Sequence, residues 1–159
     1  MIKFTEANKV VGCLAPLNIT SAAAVGKPIN LALYDAVTFL VYVGAINSTA
    51  AITVEKGTSS SLGTQMVYSY QFASAGAAAY SVLDGAALTT TVAATGLALG
   101  TSPVQYGLLA ITVSKGDLGA GYNWVGVKVA GGGSANYVTI LALVNGAYQR
   151  AAIPADPTS

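Results

Sequence analysis

Residues 37–43, Val-Thr-Phe-Leu-Val-Tyr-Val, decide the fold. Successive side chains of an extended strand point to opposite faces, so the three valines and Phe39 share one face. Thr38, Leu40 and Tyr42 share the other face. β-Branched and aromatic residues fit such a pleated surface well. The stretch therefore predicts a strand whose valine face is buried, and Gly44 and Asn47-Ser48 are expected to close it.

The same alternation of period two recurs along the chain and predicts further strands. One face of residues 65–72 is expected to carry Met66, Tyr68 and Tyr70. Residues 73–103 are rich in alanine, threonine and glycine, and predict two short strands, at 80–83 and 88–92. The remaining predicted strands are residues 31–33, 50–54, 109–113, 125–129 and 138–144.

Glycine and polar residues separate these strands and predict the turns. The link Gly131-Gly132-Gly133 is expected to form a hairpin, and Asn145-Gly146 a second hairpin into residues 147–153. No segment has a helical stripe apart from one short turn at 114–118, where Ser114 is a suitable cap. The pattern predicts an all-β chain, an antiparallel β-sandwich of jelly-roll or Ig-like type. We expect an extended N-terminal arm at 1–28, the sandwich at 29–153 and a tail at 154–159.

Composition excludes many function classes. The 159 residues contain no histidine and one cysteine, and 8 % of them are charged, against about 25 % in an ordinary domain. Histidine is the usual proton carrier and metal ligand, so its lack predicts no metal site and no cofactor. The net charge is +1 and the lysines are spread singly, which predicts no nucleic-acid partner. No uninterrupted apolar stretch of about 20 residues occurs, so no membrane partner is expected.

The acidic residues are scattered, and this predicts that the chain is not an enzyme. One alternative stays open, because folding could bring Glu55 near Asp117 and a glycosidase needs only two carboxylates. The glycine link at 131–133 lacks the Gly-Lys-Ser/Thr ending of a phosphate-binding loop, so the hairpin interpretation is favoured. The six carboxylates are Glu6, Asp35, Glu55, Asp84, Asp117 and Asp156.

The scarcity of charge indicates a protein that associates, since low net charge favours association. Exposed aromatic side chains anchor protein interfaces and also bind sugars, so a carbohydrate-binding module or adhesin is an alternative. The lone Cys13 lies in an apolar run and is expected to be a small buried hydrophobe. The candidate interface residues are Phe4, Val10, Val11, Leu14, Tyr68, Tyr70 and Trp124.

The order of features resembles a known group of proteins. The chain starts with Lys-Phe-Thr-Glu-Ala (3–7) and Lys-Val-Val (9–11), followed by Leu-Ala-Pro (14–16). A strand ending in Val-Gly-Ala (43–45) comes next, and the chain ends with Val-Gly-Val-Lys-Val (125–129) and Tyr-Gln-Arg (148–150). This order is similar to small virion proteins of tailed bacteriophages that decorate or cement the capsid.

The resemblance implies a β-sandwich protein bound in many copies to the outer surface of the capsid. The implied partners are the major capsid protein and copies of itself as a homo-oligomer, and the implied role is to reinforce capsid-subunit junctions. An arm that crosses to a neighbour would add backbone pairing. A tail component, a head–tail connector or a head-fibre base is the alternative within the virion.

Overall fold

A computed structural model describes residues 8–20, 22–46, 50–74, 89–92, 94–99, 106–131 and 136–145. All pairings between its strands are antiparallel. The elements are β1 (Lys9–Asn18), β2 (Ala24–Val25), β3 (Ile29–Asn30), β4 (Ala36–Ile46), β5 (Ala51–Gly57), β6 (Thr64–Met66), β7 (Tyr68–Ser74), β8 (Thr89–Val92), β9 (Leu97–Ala98), β10 (Gly107–Ser114), α1 (Lys115–Leu118), β11 (Trp124–Ala130) and β12 (Asn136–Asn145).

Two six-stranded sheets pack together, which confirms the predicted antiparallel β-sandwich. In the first, sheet A, the strand order is β1-β12-β4-β10-β7-β8. In the second, sheet B, the order is β2-β11-β5-β6, with β3 beside β11 and β9 beside β5. Strands distant in sequence are neighbours in both sheets, so the sandwich depends on long-range pairing.

Strand β4 lies inside sheet A and supplies the centre of the core. The valines of 37–43 and Phe39 are fully buried, as the alternation predicts. Phe39 is level with Ala142 of β12 on one side and Ile111 of β10 on the other. The strand passes Gly44 and ends at Ile46, directly before the predicted closing pair Asn47-Ser48. Gly44 keeps its place in the ladder and accepts a hydrogen bond from the Tyr106 N–H.

The predicted strand at 65–72 is wrong in one respect, because it is two strands in different sheets. Strand β6 pairs with β5 in sheet B, and β7 pairs with β10 in sheet A. The chain crosses between the sheets at Val67, which is exposed, while Met66 and Tyr68 are both buried. The predicted shared face of these side chains survives, because the interior is common to both sheets.

The hairpin predicted at the glycine link 131–133 is also wrong. Strand β11 lies between β5 and the short strands β2 and β3. Strand β12 lies between β1 and β4 in the other sheet. The glycine link therefore joins strands of opposite sheets instead of neighbouring strands.

The strand predicted at 31–33 ends early. Asn30 closes β3, and its side-chain oxygen accepts a hydrogen bond from the Ala32 N–H at 2.8 Å. Such a local bond competes with the ladder and bends the chain. As a result Leu31 is fully buried, whereas Leu33 is 60 % exposed in the bend.

The described part of the predicted N-terminal arm lies within the sandwich. Strand β1 is extended and pairs with β12, with register shifts between Gly12 and Leu14 and between Leu14 and Leu17. The Gly26 N–H then donates to Val127 in sheet B at 2.9 Å, and the Lys27 N–H to Cys13 in sheet A at 2.8 Å. This segment joins the two sheets, so the pairing that a crossing arm would give to a neighbour is made within the chain.

The short helix predicted at 114–118 is confirmed as α1, with Ser114 as its cap. The Asp117 carboxylate accepts hydrogen bonds of 2.7 Å from both the backbone N–H and the hydroxyl of Ser114. The strand predicted at 88–92 corresponds to β8. The strand at 80–83, the hairpin into 147–153 and the tail at 154–159 lie outside the described residues.

Candidate functional site

The outer face of sheet A is mostly apolar, and Asp117 lies at its edge, in a cavity lined also by Ala110 and Thr112. The residues of β4, β10 and β12 that alternate with the core positions point away from sheet B. In the sequences of the six strands of sheet A, Lys9 is the sole charged residue. We call this surface the outer A face: Val10 of β1, Thr38, Leu40 and Tyr42 of β4, Leu108, Ala110 and Thr112 of β10, and Tyr137, Thr139, Leu141 and Leu143 of β12.

Cross-strand rows organise the outer A face. Leu40 is level with Leu141 on one side and Ala110 on the other, which gives a central apolar row. Val10 is level with Leu143 in the next row, and the hydroxyls of Thr38 and Thr112 continue this row with a 3.0 Å hydrogen bond. Side chains in such rows are in contact, so the face is a continuous surface.

A groove of about 270 Å³ lies at the Tyr42 end of the outer A face. A Cβ atom on Gly44 would come within 3.0 Å of the Tyr137 Cβ, so the glycine leaves room for the tyrosine. The Thr139 hydroxyl donates to the Leu14 carbonyl at 2.8 Å and fixes β1 beside the groove. The groove is lined by Pro16, Leu17, Tyr42, Gly44, Tyr137, Val138 and Thr139.

Large apolar side chains on and beside this face are exposed to solvent. Val10, Leu17, Tyr42, Tyr137 and Leu141 have exposed fractions of 43–51 %. A group of exposed apolar residues on one face marks an interaction surface, whereas scattered ones do not. The face is therefore the strongest candidate site in the described part of the chain.

The predicted interface residues on the N-terminal segment lie close to this face. Val10 is exposed on it, whereas Val11 and Leu14 are partly buried and pack against the core. The register of β1 explains the difference, because Val11 and Leu14 are level with the buried residues Ala142 and Ile140. Phe4 lies outside the described residues.

The predicted aromatic interface residues are elsewhere. Tyr68 is buried in the core, and its hydroxyl donates to the Ile52 carbonyl at 2.8 Å. It therefore bridges the two sheets of its own chain and is not available as a surface anchor. Tyr70 is partly buried against the core, and Trp124 lies partly buried beside Gly57 in sheet B.

Tyr42, Tyr137 and Leu141 are exposed on this face but are not among the interface residues predicted from the sequence. A signal for them was present, because Leu40 and Leu141 occupy the outward positions of strands whose inward positions are also apolar. A strand with one face exposed to solvent normally carries polar residues on that face. Apolar residues at both parities indicate a strand that is covered on both faces.

The outer face of sheet B is different. It carries the ion pair between Glu55 and Lys128, with 3.2 Å between carboxylate and ammonium. The Leu62 side chain of the loop after β5 lies over Gly126. This face is charged and partly covered by its own chain, so it is a weaker candidate for association.

Each of the two carboxylates that the glycosidase alternative needs has a partner of its own. The Glu55 carboxylate binds Lys128, and the Asp117 carboxylate caps α1 through Ser114. Asp117 lines a second cavity of about 560 Å³, between β7 and β10, with Gln71 and Thr112.

Among the described residues, no three potential ligands of the histidine, cysteine, aspartate or glutamate type cluster to hold a metal ion. Within the same residues, no helix has the length and apolar character needed to cross a membrane.

Cys13 is buried, as expected from its apolar surroundings. Burial disfavours the thiolate and raises the pKa of Cys13 from 9.0 to about 11, although Lys27 lowers it slightly.

We expect Cys13 to react slowly with a thiol reagent in the folded protein. Below pH 9 the raised pKa leaves about 100-fold less thiolate than an ordinary cysteine has, and the thiolate is the reactive form. The measurement is the rate of labelling by a disulfide reagent at pH 8, in buffer and in denaturant. The folded rate should be at least about 100-fold lower, and should rise with pH until about pH 11. Equal rates in the two conditions would show that the thiol is exposed.

The chain matches no protein-family model, no curated protein and no solved structure.

Proposed function

We propose that this chain is a non-enzymatic structural protein of a bacteriophage virion, which decorates or cements the capsid. It binds capsid-subunit junctions on the outer surface of the capsid in many copies. Its partners are the major capsid protein and copies of itself, and it needs no cofactor. The observation that carries the proposal is the outer A face, a mostly apolar surface whose strands contain one charged residue, Lys9, and which favours association of copies of the chain.

The energetics of the outer A face favour a covered state. Burial of apolar surface is worth about 25 cal/mol per Å², and the five exposed apolar residues on and beside the face each leave about half of their surface in water. Charged groups must be stripped of water when an interface forms, and the strands of this face contain only Lys9. The face can therefore be buried at a low desolvation cost.

The rest of the molecule supports a building role. The composition carries little charge to keep copies apart. The order of sequence features that resembles phage decoration proteins supports the location on a capsid. A tail, connector or head-fibre component uses the same kind of surface, and the location of the chain in a particle separates these roles.

The test is to locate the chain on virus particles. An antibody raised against the purified protein is applied to purified particles of the virus that encodes it, with gold detection in the electron microscope. We expect label over the whole capsid surface. Label confined to the tail or to one vertex contradicts decoration and supports the alternative virion roles, and particles without the chain contradict the proposed function altogether.

A further inference from the structure

We infer that the outer A face binds the same face of a second copy, in a symmetric dimer that stacks one sheet A on the other. The inference rests on the proposed function, because it names the partner of the surface on which that proposal depends. The interface is centred on the row of Leu40 and Leu141.

Charge favours a second copy as the occupant. The strands of sheet A carry one charged residue, Lys9, at the beginning of β1. Lys9 is level with Val144, which is buried in the core. The position of Lys9 therefore belongs to the inward set of β1 and not to the outer A face.

Asp117 lies beside Ala110 and Thr112 at the β10 side of the face, whereas the central residues Leu40 and Leu141 carry no charge. Two faces that meet on the central row therefore oppose no like charges, and the net charge of +1 gives no long-range repulsion.

The area of the face is suitable for a dimer. Four strands about 4.8 Å apart, over about eight residues of 3.4 Å each, cover roughly 520 Å² in projection. The relief of the side chains adds to this area. A standard stable interface buries about 800 Å² per partner, so a dimer needs the complete faces with their side-chain relief, and contact through one corner is too small.

The shape of the face is complementary to itself. In a symmetric dimer, residue i of one copy contacts residue j of the other, and j contacts i. Val10 is near one end of β1, and the groove formed by Leu17, Tyr42 and Tyr137 lies near its other end. A twofold axis that runs across the strands through Leu40 and Leu141 places Val10 of each copy over the groove of the other. Leu141 lies on the axis and meets its own counterpart.

The first test places a charged side chain on the twofold axis of the dimer. In Leu141→Lys two ammonium groups face each other in the dimer, so we expect the dissociation constant to rise about 100-fold or more, as for a central hot spot changed in both copies. Analytical ultracentrifugation over a range of concentrations measures it. The matched control is Leu33→Lys, the same substitution at a leucine that is also exposed but lies outside sheet A, and it should leave the constant within about 2-fold of the parent.

The second test does not depend on weakening the dimer. Leu141→Cys places a thiol on the axis, and a short bismaleimide should join two copies at this position, because the native Cys13 is buried. Leu33→Cys should give no crosslinked dimer above that of the parent chain. Circular dichroism of each variant verifies that the fold is retained.

The outcomes separate this inference from the proposed function. A parent chain that sediments as a monomer at all concentrations, or a Leu141→Lys variant as dimeric as Leu33→Lys, overturns the inference. A monomeric parent that labels capsids, and loses capsid binding on Leu141→Lys, assigns the face to the capsid protein and also overturns it. A dimer that is absent from virus particles contradicts the proposed function and leaves the dimer established.

Discussion

Phe39→Ala should lower the free energy of unfolding by about 3–5 kcal/mol, the usual loss when a buried phenylalanine is truncated. Phe39 is fully buried at the centre of β4. Its neighbour in β12 is Ala142, which is too small to fill the space that the ring leaves. A loss of this size is a large part of the 5–15 kcal/mol that stabilises a typical domain. Urea unfolding measures it.

A matched control on the same strand isolates the contribution of the core. Tyr42→Ala removes an aromatic ring from the outer A face, where the side chain is half exposed, so its cost to the folded monomer should be about 1 kcal/mol, the scale of a cross-strand contact. Both variants are best measured in the Leu141→Lys background, so that dissociation of copies does not contribute. Equal losses at the two positions would contradict the assignment of an inner and an outer face to β4.

The alternation in the sequence predicts which segments are strands and which side chains are buried. Residues 37–43 and 125–129 show this clearly, because their valines are all buried in the sandwich. Alternation is a local property, and extended geometry imposes it in whichever sheet the strand lies. For this reason the position of the core strands could be read from the sequence alone.

Local sequence patterns do not determine which strands become neighbours in a sheet. The glycine link at 131–133 has the composition of a hairpin, yet β11 and β12 belong to different sheets. The sequence also gives no sign of the change of sheet at Val67. Met66 and Tyr68, two positions apart, are both buried, as they would be in one continuous strand. Strand order depends on the packing of residues far apart in sequence, and composition at one turn does not encode it.

The candidate site was predictable in part. The scarcity of charge predicts an associating surface, and Val10 belongs to it. Tyr68 was assigned to the surface from its type, but period two does not tell which aromatic residues face the core. Leu40 and Leu141 were the better signal, because they are leucines at outward positions of strands with apolar inward positions.

Lys128→Met should lower the free energy of unfolding by about 2–3 kcal/mol, although Lys128 is itself partly exposed. Its ammonium is the partner of the Glu55 carboxylate at 3.2 Å, and the Glu55 side chain is 7 % exposed. Removing one member of a buried pair costs about 3–5 kcal/mol, because a buried charge remains without its partner. We expect less here, because a third of the lysine side chain is in water and exposed pairs contribute only about 0–1 kcal/mol.

The double variant Glu55→Gln, Lys128→Met separates two effects of the lysine substitution: the unpaired charge left on the Glu55 carboxylate, and the lost packing of the lysine side chain. With no carboxylate left to desolvate, it should regain most of the stability that Lys128→Met loses, because replacing both members of a buried pair is often nearly neutral. Urea unfolding of the parent, both single variants and the double variant completes a thermodynamic cycle. A double variant that is as unstable as the sum of the single variants would show that the two side chains do not interact.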